Sequence, residues 1–207
     1  MVADFILNRI KQRKSDSLAE AQMHFEEGVR LAAEGCYAEA VVVLKLATRA
    51  DPDHAEARAE LGLAYHNLGQ LSKAIKAYRS ALEIRSNFVT PYKHLGAAYD
   101  ELGQFVDALK VYAKAIVLAP QDAELRNDIG LVYFNIGSYT EAIKAFTQAL
   151  EIEPRSARAH YCLGLVYLDV GDVNMAMAEH GHLTNQNENQ LAFQLLDKIQ
   201  LQTRQAS

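Results

Sequence analysis

Three sets of residues have types that could do chemistry. Cys36 and Cys162 could act as nucleophiles or soft metal ligands, but they stand far apart, with no Cys-x-x-Cys pair. That pattern excludes a disulfide scaffold and a zinc ribbon and fits a reducing compartment. Neither thiol has a His/Asp arrangement around it in sequence, so both read as passive. Glu179-His180-Gly181-His182 is the densest cluster among seven histidines. On a helix, residues two apart point about 200° apart, so His180 and His182 cannot chelate one ion together. The eleven glycines could cradle phosphate, yet ten of them recur at a spacing of seven and no strand-like stretch precedes them. A phosphate loop needs a strand before its glycines and a helix after them. The sequence therefore predicts no catalytic residue, no metal and no cofactor.

The glycines instead organise the chain. Gly28/Gly35, Gly62/Gly69, Gly96/Gly103, Gly130/Gly137 and Gly164/Gly171 form five pairs, each 34 residues from the next. A fixed period of that length is the signature of stacked repeats. Five units follow: 21–54, 55–88, 89–122, 123–156 and 157–190. Other positions keep the period. The eleventh carries Leu31, Tyr65, Tyr99, Tyr133 and Tyr167, and the twentieth is always alanine (Ala40, Ala74, Ala108, Ala142, Ala176). The twenty-fourth carries Leu44, Tyr78, Tyr112, Phe146 and His180. The thirty-second is Pro52, Pro120 and Pro154 in three units and Ser86 in another.

Each unit reads as two antiparallel helices. Apolar residues at positions 7, 8 and 11 share one helical face, and those at 17, 20, 24 and 27 share another. Small residues at 8, 20 and 27 let the backbones approach while the large side chain at 24 fills the gap beside them. In the fifth unit this rule places His180 in the large-residue slot. The second glycine of each pair falls just past the first helix, where a left-handed residue costs least as glycine. Proline at 32 closes the second helix and suits the turn that opens the next. In the third unit Thr90-Pro91 reads as an N-cap and first-turn proline in place of Ser86.

These residues resemble the tetratricopeptide repeat, whose 34-residue motif has the same order of small, aromatic and proline positions. The resemblance covers about 170 of 207 residues. The first unit departs at Glu27, and the fifth departs at His180 and Leu183 and lacks its proline. End units of a repeat stack lack one neighbour, so such departures are expected there. Segment 188–203 reads as an amphipathic C-terminal capping helix. Leu191, Phe193, Leu195, Leu196, Ile199 and Leu201 would cover the open end, with Asn187 as N-cap. The resemblance implies an all-α fold, a right-handed α-solenoid of antiparallel helix pairs spanning 17–190. It implies a non-catalytic adaptor whose first helices line a concave groove for a protein or peptide partner.

On the family's pattern the groove-facing candidates are Phe25, Val29, His66, Lys93, Asp100, Asn127, Leu131, Phe134, Arg158, Tyr161, Leu165 and Leu168. Phe25, Phe134 and Tyr161 stand out as anchors, because aromatic side chains are favoured interface hot spots. Leu131 and Leu165 could equally pack inward. Some family members grip a chaperone C-terminal carboxylate with a Lys/Asn/Asn/Lys/Arg clamp. Here the aligned residues are Lys93, Ala97, Asp128, Arg158 and Cys162, so both asparagines are missing and an aspartate intrudes. No chaperone clamp is expected.

Composition agrees with an acidic repeat protein. Net charge is −5, and no run of 18 apolar residues exists to cross a membrane. Without a broad cationic surface, nucleic acid is not an expected partner, and the related 35-residue repeats that read RNA differ in period. Residues 1–16 form a basic N-terminal segment: Asp4 stands against Arg9, Lys11, Arg13 and Lys14. Its cations follow the short apolar stretch Phe5-Ile6-Leu7, which disfavours an export signal and leaves a cytoplasmic location as the expectation. Val2, Phe5, Ile6 and Ile10 share a helical face. Three readings stay open for this segment: a flexible tail, self-association by docking into another copy's groove, or a peripheral membrane contact. Ser17 and Glu20 read as a capping box that starts the first repeat helix near Leu18.

Overall fold

The computed structural model describes residues 2–206, with side chains described at residue 9 and from 12 to 204. Every regular element among them is a helix. The chain forms two compact units, Met1–Gln104 and Phe105–Ser207. The first holds α1 (Val2–Ala33), α2 (Tyr37–Ala50), α3 (Ala55–Asn67), α4 (Leu71–Ile84) and α5 (Val89–Glu101). The second holds α6 (Phe105–Leu118), α7 (Ala123–Asn135), α8 (Tyr139–Ile152), α9 (Ala157–Asp169), α10 (Val173–Asn185) and α11 (Asn189–Ala206). Within each unit, consecutive helices pack on one another, and every second helix also touches: α1 with α3, α3 with α5, α7 with α9, α9 with α11. Among the described residues, no helix is long and apolar enough to cross a membrane.

The repeating residues build this stack as their spacing predicts. Leu44, Tyr78, Tyr112 and Phe146 are almost wholly buried, each flanked by buried alanines four residues before and three after. Full burial of one such side chain contributes about 2–3 kcal/mol. The tight partner of Phe146 is Gly130 on α7, where a Cβ would lie 2.6 Å from the ring. At the end of α3, Gly69 adopts φ 69°. That left-handed residue lets Gly69 N–H donate to the His66 carbonyl and Gln70 N–H to the Tyr65 carbonyl, closing the helix end as a Schellman-type turn.

Three helix starts differ from expectation. Helix α1 runs unbroken from Val2 to Ala33, so Ser17 caps nothing. Its hydroxyl instead donates to the Ala50 carbonyl at the end of α2, 2.6 Å away. A hydroxyl at a helix interior is free to satisfy a neighbouring helix's last carbonyl. The expected face of Val2, Phe5, Ile6 and Ile10 lies outside the described side chains. Helix α5 begins at Val89 with Phe88 at the N-cap, which moves Thr90 into the first turn beside buried Pro91. Asn187 is not the N-cap of α11 but the left-handed residue after α10, at φ 62°. Glu188 N–H donates to the Leu183 carbonyl, so Asn187 does at this turn what glycine does at the earlier ones.

The fifth repeat departs further. Position 4 is arginine in two units. Arg58 donates to the Pro52 carbonyl and to Ser80; Arg126 donates to the Pro120 carbonyl and to Gln148. His160 takes this place in the fifth unit, with Nε2 3.1 Å from the Pro154 carbonyl and Nδ1 2.6 Å from the Glu179 carboxyl. Both residues are buried. Drawing Glu179 inward turns α10 so that His180 is only half-buried, and the slot over Gly164 is filled by Leu195 of α11 and the Glu179 Cβ. His180 therefore does not occupy the large-residue slot. Leu195, Ile199 and Ala192 close the end of the stack as a core cluster with Leu168, Ala176 and Leu183. Phe193 and Leu201 stay exposed instead of covering it, because they project from the outer side of α11.

Candidate functional site: two open clefts and a buried polar cluster

The predicted groove residues separate into distinct surroundings. In the second unit, Phe134 from α7 and Leu165 and Leu168 from α9 line an open cleft of about 540 Å³. Helix α11 supplies its other wall with Lys198, Leu201 and Gln202, and Asp169 sits at the rim. The terminal helix is held there by Gln202 Nε2, which donates to the Leu168 carbonyl at 2.8 Å. Spacing along one repeat shows nothing of these α11 residues, because they come from outside the 34-residue pattern. Their signal is the amphipathic pattern of 188–203 itself, whose outward side includes Leu201.

In the first unit, Phe25 lies half-buried with its ring 4.8 Å from His54. It lines a cleft of about 490 Å³ with Leu18, Gln22, Asp51, Asp53, His54 and Glu56. Glu56 also forms an ion pair with Arg85, leaving Asp51 and Asp53 as the acidic rim. Val29 is exposed one turn further along α1. His66 binds Glu101 through Nε2 at 2.7 Å. Lys93 and Asp100 are half-buried on α5.

Several candidates are core rather than surface. Asn127 is 2% exposed and reaches Ser156 with its amide nitrogen at 3.5 Å. Leu168 is 4% exposed, so only its edge meets the cleft. Leu131 packs against the cluster of Ala142, Phe146, Cys162, Leu163 and Val166. Tyr161 bridges this cluster and the one formed by α11, and burial pushes its hydroxyl pKa up. It is half-buried, as is Phe134, whose ring lies 6.1 Å from Tyr139. A family pattern marks the groove side of a helix but not how deeply neighbours bury each side chain.

The charged candidates are already engaged. Arg158 pairs with Asp128 at 2.8 Å, so the cation at the fourth clamp-aligned position faces a carboxylate of its own chain. Burial pushes the Cys162 thiol up to about 11, against a smaller downward pull from Arg158, which leaves it protonated near neutrality. Among the described residues, no three His, Cys, Asp or Glu side chains stand close enough together to hold a metal ion.

A stack of paired helices with small-residue crossings, a large residue in each gap and left-handed turns defines an α-helical repeat protein. The particular class follows from comparison. A family model for the TPR repeat matches residues 65–103, 101–137 and 132–171, together just over half of the chain. The chain belongs to the tetratricopeptide-repeat family. No curated protein matches it. Among solved structures, MamA 41-end from Desulfovibrio magneticus RS-1 is 25% identical, over 82% of this chain and 94% of that one, with a TM-score of 0.71. TTC0263, a thermophilic TPR protein in Thermus thermophilus, is 24% identical over 86% and 98%, with a TM-score of 0.69. YrrB, described as a TPR protein with an unusual peptide-binding site, is 22% identical over 84% and 90%, with a TM-score of 0.68. These likenesses establish the fold, and the partners of those proteins remain their own.

Proposed function

We propose that this protein is a non-catalytic adaptor that holds an apolar segment of a protein partner against its first helices, in the cytoplasm. The observation that carries this reading is the open cleft of the second unit. Phe134, Leu165 and Leu201 present apolar surface there, and Asp169 and Lys198 stand at its rim. An apolar floor with a few polar groups at the edge suits a peptide or helix that buries one or two anchors. Replacing Phe134 and Leu201, both lining the cleft, together by alanine is expected to weaken partner capture from native lysate by about tenfold or more, with helicity by circular dichroism retained. Equal capture by the variant would rule this cleft out.

A second reading is self-association, and one observation favours it. Helix α1 continues in the N-terminal direction past Ser17, the residue that meets the end of α2, with Arg9 and residues 12–16 exposed along it. That extension is basic while the rest of the chain is acidic, so a second copy supplies a surface of complementary charge. Light scattering compares the full chain with a version starting at Ser15. The full chain is expected to grow in mass with concentration and the shortened one to stay a monomer; two monomers would exclude self-docking.

A further inference from the structure

One side of α1 carries a line of charges that the helix itself leaves badly matched. Arg9, Arg13, Asp16, Glu20 and Met23 recur at alternating steps of four and three, so they follow one another along the helix. All five are exposed. At this third position of the repeat the later units bury their residue, with Ala57, Leu125 and Ala159 at 0% exposure, whereas Met23 is 59% exposed. The side of α1 that matches a packed side in the later units is therefore open.

Along this line, like charges stand one turn apart. Arg9 and Arg13 are four residues apart, and so are Asp16 and Glu20; such pairs destabilise an isolated helix. No acid stands three or four residues from Arg9. Asp16, three residues from Arg13, accepts instead from Gln12 Nε2 at 2.9 Å. Glu20 meets the His24 ring at 3.6 Å. Further along, Arg30 already pairs with Glu27 and Glu34, each at 2.6 Å. Residues 9–16 also precede Ser17, which meets the end of α2, and a helical stretch of that length is marginal in water without a packed face.

A second α1 supplies the missing partners. Laid antiparallel, with a two-fold axis between positions 14 and 15, it sets Arg9 opposite Glu20 and Arg13 opposite Asp16. The symmetry makes each contact twice. Sliding the axis three or four residues either way would set Asp16 against Glu20 or Arg9 against Arg13. Parallel pairing would set every charge against its own copy. Repulsion and attraction thus select the same register.

We infer that two copies of this chain pair through α1 in this antiparallel register and close a two-fold dimer. This rests on the self-association reading and names its surface, the partner's α1 rather than its groove. Met23 is covered when the two helices meet, and Arg9 and Arg13 gain the carboxylates that their own helix does not offer.

The test follows the mass of the full chain by light scattering as its concentration rises. The mass is expected to reach that of two chains and stop, because a two-fold interface closes on itself. Arg9→Glu/Arg13→Glu and Asp16→Lys/Glu20→Lys are each expected to weaken pairing by about tenfold or more. Mixed together, the two variants are expected to pair with each other, since one line is then wholly acidic and the other wholly basic. That rescue also shows that both variants fold. Either variant pairing as tightly as the wild type would overturn this register. So would mixed variants that stay apart, or a mass that climbs past two chains. In those cases the self-association reading still stands if the chain starting at Ser15 remains a monomer while the full chain does not. A wild-type chain that is monomeric at every concentration would overturn both, and loss of a lysate partner by the charge variants would then give the line to that protein.

Discussion

Glu179→Ala is expected to destabilise the second unit by about 3–5 kcal/mol, the cost of breaking a buried pair by removing one partner. The Pro154 carbonyl only accepts, so His160 Nε2 donates to it, and Nδ1 shares the remaining proton with Glu179 at 2.6 Å. Without the carboxyl, a buried ring nitrogen faces an apolar gap beside Gly164. The loss is measured by urea unfolding. Hydrogen exchange is expected to place it in α9 to α11, because Leu195 shares the Gly164 slot with Glu179. The double variant His160→Leu/Glu179→Leu is expected to recover most of the stability, since apolar replacement of an entire buried pair is often neutral or better. A single variant as stable as the wild type would show that the pair holds nothing in place.

The second large effect is steric. Gly130→Val is expected to cost about 3 kcal/mol. Any Cβ at that position lies 2.6–2.9 Å from three ring atoms of Phe146, and Phe146 is wholly buried. In a close-packed interior the ring shifts only by displacing its neighbours, so α7 and α8 are expected to part. Gly137→Ala makes the contrast. Its site is open but its φ is 74°, so the cost there is backbone strain alone, about 1–2 kcal/mol. Gly130→Val and Phe146→Ala are expected to be non-additive, the double variant losing less than the sum of the two single changes. If thermal melts show Gly130→Val no worse than Gly137→Ala, the close crossing is not what makes glycine necessary.

Most of the fold was legible because it rests on local, repeated constraints. A left-handed residue after a helix costs least as glycine whatever surrounds it, and Gly69 after α3 shows this at φ 69°. Alanines at a helix crossing and one large side chain beside them mark a packed interface in any context, and Ala142, Phe146 and Ala149 are buried as that pattern requires. The candidate site was legible more weakly. The repeat pattern assigned Phe134, Leu165 and Leu168 to one side, and the second unit brings them into one cleft. Asn127 was assigned to the same side and is buried, because Ser156 from the next loop covers it.

By itself, then, the amino-acid sequence determined the period, the helix pairs, the turns between them and the residues that fill each gap. Tertiary structure alone decided which of two neighbouring residues on α10 turns inward. Periodicity favours His180, but a carboxyl that finds a buried histidine 2.6 Å away outweighs one position of register. It also decided that α1 runs on through Ser17, whose hydroxyl is taken by the last carbonyl of α2.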